Sequence, residues 1–200
     1  MRLQTGDTVI ALNPPAKTSK YKISGFGADL ALLSLRSDDY NGVDTVTYGD
    51  KKPFVVSGPG AYEIGGIYIE GYATRGVVGK EDAINTAYFF TFDSIKICFI
   101  GPLVSPEIPQ EMKSGVDAVD ILFIPIGGKT VLNSGEAYKI AKQFGAKLII
   151  PIEYGDDQEP GALDSFLKEA GAKGAEPIDK LTIKLKDILN KESEVVVLSS

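Results

Sequence analysis

Ala31-Leu-Leu-Ser-Leu-Arg-Ser-Asp-Asp-Tyr40 runs from an apolar segment directly into a polar turn. With Asp29-Leu30 before it, the segment Asp29–Ser34 is a continuous apolar run, the pattern of a strand buried on both faces. Short carboxylates bond nearby backbone N–H groups, so Asp38-Asp39 reads as a turn or helix-start pair. Three later junctions have the same form: Ile97-Cys-Phe-Ile-Gly-Pro102, Asp120-Ile-Leu-Phe-Ile-Pro-Ile-Gly-Gly128 and Leu148-Ile-Ile-Pro-Ile-Glu-Tyr-Gly155. Their order and spacing set the fold class.

Working outward, the first half is rich in strand signals. Thr8–Leu12 stops at Asn13-Pro14-Pro15, since proline cannot donate to a ladder. Pro53–Val56 leads into the turn Ser57-Gly-Pro-Gly60. Tyr62–Ile64 and Ile67–Tyr72 flank Gly65-Gly66 as a hairpin, and Asn85–Phe92 with Ser94–Ile100 forms a second about Asp93. Between them, Arg75–Asp82 reads as an exposed loop. The second half alternates strands and helices. A short helix is expected over Pro106–Ser114, with Ser105 as cap and Gly115 as stop. Asp120–Ile126 and Lys147–Ile152 read as buried strands. Asn133 to Glu136 resembles a capping box, followed by Ala137, Ile140, Ala141 and Phe144 at helical spacing. Leu163, Phe166, Leu167 and Ala170 mark a third helix closed by Gly171. Leu181–Leu185 and Glu194–Leu198 read as late strands at a sheet edge. Hairpins first and strand–helix alternation second predict an α/β (α+β) architecture of two mixed sheets with helices outside.

The chain has 200 residues, 44% hydrophobic and 24% charged, which suits one folded domain over residues 1–200. A net charge of −6 with scattered basic residues argues against a nucleic-acid groove, which needs a basic face. No apolar stretch reaches the roughly 18–20 residues that span a bilayer, and the N-terminus lacks the apolar core of a signal peptide. No membrane association is expected, and a cytoplasmic location is. The single Cys98 forms no intramolecular disulfide and reads as a small buried hydrophobe. Gly127-Gly-Lys-Thr130 lacks the earlier spaced glycine of a phosphate-binding loop and reads as a turn. Tyr62, Tyr68 and Tyr72 read as sheet-packing residues.

The four junctions, in their order and flanking residues, resemble the metal-binding strand ends of the metallo-β-lactamase superfamily, in its Zn-dependent hydrolase-like branch. Gly58-Pro-Gly-Ala-Tyr-Glu-Ile-Gly-Gly66 resembles the branch's G-P-G-E-Y-E-V-x-G turn, and Pro125-Ile-Gly-Gly128 with Thr130 resembles its P-V-G-G. The resemblance covers about residues 7 to 155 and implies a four-layer αββα sandwich. It also implies a di-metal centre whose histidines hold Zn²⁺ and leave positions open for water. This chain has no histidine. Ser34 matches the family turn, but Leu35, Ser37 and Tyr40 stand where three histidines should be, and Asp39 alone keeps a ligand-type residue. Phe99 and Pro102 replace the His and Asp of H-L-G-D, around a retained Gly101. At the last strand end Glu153 replaces the His between matching Pro151 and Tyr154. Asn13-Pro14 stands where the family often has Asp-Pro.

The resemblance therefore implies the scaffold of a hydrolase with its metal shell replaced. The expected reading is a protein without zinc hydrolase activity and without a cofactor, with a binding or assembly role. Leu35 and Phe99 should be buried near one another, with Tyr40 close by, filling the metal volume. The alternative is a hydrolase that uses Mg²⁺ or Mn²⁺ on hard oxygen ligands from Asp38, Asp39 and Glu153. Arg36 could instead supply the positive charge for Asp39 or Glu153. The apolar run Glu194–Leu198 would need a covered edge, which a homodimer or an internal segment could provide.

Overall fold

The computed structural model describes residues 1–115 and 119–199. Chain before Ser57 builds one sheet and chain after it builds the other. The small sheet has the order β1 (Arg2–Thr5), β2 (Thr8–Leu12), β3 (Leu30–Leu32), β4 (Phe54–Val56). β1 and β2 form an antiparallel hairpin; β3 runs parallel to β2 and β4 parallel to β3. The large sheet follows chain order: β5 (Gly60–Ile64), β6 (Ile67–Val78), β7 (Glu81–Phe92), β8 (Ile95–Phe99), β9 (Ile121–Pro125), β10 (Leu148–Ile152), β11 (Glu194–Val195). Its first four strands are an antiparallel meander. From β8 onward pairing is parallel, with helices in the crossovers. These helices are α1 (Gln110–Gly115), α2 (Ser134–Gln143), α3 (Ala162–Glu169) and the single turn α4 (Leu185–Ile188).

Two mixed sheets flanked by helices are thus the observed architecture, as expected. Alternation along each strand sorts the cores. On β8, Ile97 and Phe99 point between the sheets, where they join Leu12, Leu32, Tyr88, Phe123 and Ile150. Cys98 points outward, to a layer in which Ala137, Ile140 and Ala141 of α2 and Phe166 and Leu167 of α3 cover Leu122 and Ile149. The layer over the small sheet is thin: Val9, Ala11, Ala31 and Leu33 pack under Phe26 and Val43, beside one 3-10 turn at Val43–Thr45.

Three sequence expectations are corrected. Arg75–Asp82 is no loop but the tip of the β6–β7 hairpin, with Val78 opposite Glu81 and Arg75 bridged to Asp82 at 2.9 Å. Gly79 at φ 65° lets the chain reverse in two residues. The first helix begins only at Gln110. Ser105 accepts a hydrogen bond from the Glu107 amide but caps a turn, because Pro109 disfavours helical geometry at Ile108. Leu181–Leu185 joins no sheet; the Lys184 amide donates to the Asp187 carboxylate at 2.8 Å and starts α4 instead. Among the described residues no helix is long and apolar enough to cross a membrane.

Candidate functional site

The turn after β3 is held by polar groups that the strands bring together. The Ser34 amide and hydroxyl both donate to Asn13 Oδ1, each at 2.8 Å, and the Ser34 carbonyl accepts from the Thr86 amide of β7 at 2.8 Å. Asn13 adopts φ 43°, a left-handed conformation that Asn tolerates better than most residues. One residue earlier, the Leu33 carbonyl accepts from the Tyr88 hydroxyl at 2.8 Å, which also receives the Gly58 amide at 3.0 Å. Asn85 Nδ2 donates to Thr74 Oγ1 and to the Ile100 carbonyl. Gly101, at φ 68°, closes this node. A Cβ there would stand 2.4 Å from Ser34 Oγ and 2.7 Å from Asn85 Oδ1. Retention of Ser34 and Gly101 at the resembled motif therefore has a packing reason independent of any metal.

The residues that the resemblance sets at metal-ligand positions are engaged by the protein itself. Leu35 is 3% exposed and lies against Gly76 of β6, with Cδ1 3.1 Å from the point a Gly76 Cβ would occupy. Phe99 is 2% exposed and meets Phe123 edge-on, ring centroids 6.3 Å apart, within the inter-sheet core. Pro102 is buried. The Ser37 carbonyl accepts from the Tyr40 amide. Asp38, exposed, accepts from Thr18 Oγ1 at 2.7 Å, and Asp39 accepts from Ser19 Oγ at 2.5 Å. Tyr40 crosses the cleft and donates its hydroxyl to Glu153 Oε2 at 3.1 Å. Glu153 sits at φ 58°, a strained setting for a residue with a Cβ. The expected Arg36 pairing is corrected: Arg36 is exposed and makes no ion pair among the described residues.

Burial raises the Glu153 carboxyl above the usual range; the Tyr40 hydrogen bond and the nearby Met1 amino group oppose this, and Asp39 adds to it. Burial and Glu153 together push the Tyr40 phenol far up, so it stays a donor. The Met1 amino group donates to the Leu12 carbonyl at 2.7 Å. Burial lowers it to about 6, against the attraction of Glu153. The Cys98 thiol is pushed well up by burial and is unfit as a nucleophile.

These residues do not fit the di-zinc centre that the fold implies. Asp38 and Asp39 are turned to Thr18 and Ser19, while Glu153 faces Tyr40. Among the described residues no group of three or more His, Cys, Asp or Glu is placed to hold a metal ion. The three carboxylates of the Mg²⁺/Mn²⁺ alternative do not converge.

What the cleft offers instead is a cavity of about 1300 Å³ between the sheets. Its floor is the inner face of β8, β9 and β10, with Ile97, Ile121 and Ile150 among the lining residues. β1 and the segment Asp179–Ile183 line it as well. Two hydrogen bonds join its opposite sides: Tyr40 to Glu153, and Thr5 Oγ1 to Asp93 Oδ2 at 2.9 Å. Near Glu153 the lining also includes Asp39, Asp156, Asp157 and Tyr21. Lys20 and Tyr21 both reach Asp157 Oδ2 at 2.5 Å. Sequence reasoning missed Ser19, Tyr21 and Asp157, which lie in loops with no periodic signal. The acidic Asp156-Asp157 pair just after a strand end was the one available hint.

A model of the β-lactamase superfamily domain matches residues 1–153. A search of curated protein sequences gives no match. Similar solved structures include a proposed Zn-dependent hydrolase of the metallo-β-lactamase superfamily from Thermotoga maritima, 23% identical, TM-score 0.70, the match covering 98% of this chain and 92% of that one. A proposed metal-dependent hydrolase from Parabacteroides distasonis is 20% identical, TM-score 0.66, covering 99% and 89%. A metallo hydrolase from the archaeon Ignicoccus hospitalis is 15% identical, TM-score 0.64, covering 99% and 90%. At these identities the solved structures speak to the fold alone, and with the domain match over more than three quarters of its length the chain belongs to the metallo-β-lactamase superfamily.

Proposed function

We propose that this chain is a metal-free member of its superfamily that binds a ligand at the inter-sheet cleft and does not hydrolyse it. The observation that carries the reading is the state of the former shell. Leu35, Phe99 and Pro102 are buried apolar groups, while Asp38, Asp39 and Glu153 are each held by a hydroxyl of the same chain. A metal bound there would lose most of its hydration without regaining the ligands that a structural or catalytic site supplies. Without a metal-bound hydroxide, hydrolysis would need another base beside a nucleophile. No histidine is available, and Cys98 is buried behind the sheet. The superfamily fold then serves as a frame for a cavity, and function follows the site rather than the scaffold.

The test is elemental analysis of protein purified without chelator, combined with assays of carboxylic-ester and phosphodiester hydrolysis with added Zn²⁺, Mn²⁺ or Mg²⁺. The expected outcome is far less than one equivalent of metal, no turnover above buffer, and a melting temperature indifferent to chelator. One or two equivalents of metal, or turnover abolished by Asp39→Ala, would overturn it.

A further inference from the structure

We propose that the inter-sheet cavity binds an amphipathic cation: an apolar body lying on the isoleucine floor, with a single amine held at Glu153. The inference rests on the metal-free reading above and names the ligand class. Its first support is the floor. Ile95, Ile97 and Ile121, residues of the inter-sheet core, line the cavity together with Phe92, Phe123 and Ile150 and give it an apolar wall. An apolar wall of this kind favours an apolar ligand body over a hydrated polar one.

The second support is charge. Asp39, Glu153, Asp156 and Asp157 all line the same end. Of these, Asp157 is already met by Lys20 and Tyr21, Asp39 by Ser19, and Asp156 is exposed to solvent. Glu153 is met on Oε2 alone; among the described residues Oε1 has no donor. The positive groups nearby do not take that place. Arg2 lines the cavity through β1, but its guanidinium sits 5.3 Å over the Phe26 ring on the outer side of the small sheet. Lys180 lines the cavity from Asp179–Ile183 but makes no ion pair with Glu153 among the described residues. The Met1 amino group is occupied by the Leu12 carbonyl, and burial favours its neutral form. An ammonium at Glu153 would therefore meet a carboxylate lacking a full partner, whereas a carboxylate or phosphate head would meet four acids.

The experiment compares four probes on the full chain at pH 7.5 by calorimetry: decylamine, decanol, decanoate and propylamine. Decylamine is expected to bind saturably at one per chain, about tenfold or more tighter than decanol. Decanoate and propylamine are expected not to saturate. Glu153→Gln should bring decylamine down to the affinity of decanol while leaving decanol unchanged. Decanoate binding as well as decylamine, decanol binding equally well, or no saturable ten-carbon probe at all would each overturn the proposal. Metal content measured on the same preparation separates the two readings. A metal-free protein that ignores decylamine refutes the ligand class alone, whereas stoichiometric zinc refutes the metal-free reading itself.

Discussion

Phe99 and Glu153, both set by the resemblance at metal-ligand positions, pull in opposite directions. Phe99 adds apolar burial: its ring packs on Phe123 in the inter-sheet core. Phe99→Ala should cost about 3–5 kcal/mol, read from the denaturant midpoint, since the emptied ring volume adds to the existing cavity. A near-neutral change would mean that the ring packs loosely. Glu153 is a stability burden when ionised. Its carboxyl is raised in the folded chain, so the fold binds the proton more tightly than the unfolded chain does. That contribution is fully present below the ordinary carboxylate value of about 4.3 and is lost as pH rises through the raised folded value. Glu153→Gln should therefore leave Tm unchanged near pH 4 and raise it by about 2–4 °C near pH 8. A loss of Tm at pH 8 would show that the charge is well compensated. The burial of Leu35, Phe99 and Pro102 at strand ends was legible in the sequence, from the apolar runs that lead into them. The partner of Glu153 was not. Tyr40 lies 113 residues away and competes with Arg36 only in three dimensions.

At the level of elements, local chemistry decided what could be read in advance. The capping box of α2 is present as expected, with Glu136 N on Asn133 Oδ1 at 3.0 Å and Asn133 N on Glu136 Oε2 at 3.2 Å. Asn133→Ala should cost about 1 kcal/mol in chemical denaturation, and Asn133→Ser should recover most of it. The hairpin turns at Gly65-Gly66 and about Asp93 were equally clear, whereas the one at Gly79 reads as a loop from sequence alone. The strand-like Leu181–Leu185 misled because alternation specifies a face but not a partner, and the Lys184–Asp187 turn wins locally. Gly101 ties three elements: β8, the turn after β3, and β7 through Asn85. Gly101→Ala should destabilise by about 2–4 kcal/mol, from a Cβ driven against Ser34 and from the left-handed backbone. Wild-type stability in that variant would mean that the node yields easily.

Across the whole molecule, the expected exposed edge after β11 is covered from within. The Val196 amide reaches the Ile149 carbonyl on one side, while Ile178 and Val197 pair on the other, followed by Ser199 and Ile178. Self-association is not needed to protect that strand, and light scattering at micromolar concentration should report a monomer. A stable dimer would point to another surface, with exposed Phe54 and Val55 on edge strand β4 the first place to look. The division of the two sheets along the chain has one more consequence. Residues 2–56 and 60–195 never exchange a strand, and the large sheet pairs only neighbours in sequence. Such a layout gives the antiparallel hairpins short loops to close and leaves the parallel crossovers and face-to-face docking as the longer-range steps. Severing the chain in the Ser57–Gly60 turn would break no ladder within either sheet. Two separately produced fragments, 1–57 and 58–200, should then recombine into a native-like complex, with Tyr88 again meeting Leu33 across the cut. The chain would thereby serve as a ready-made split reporter for proximity.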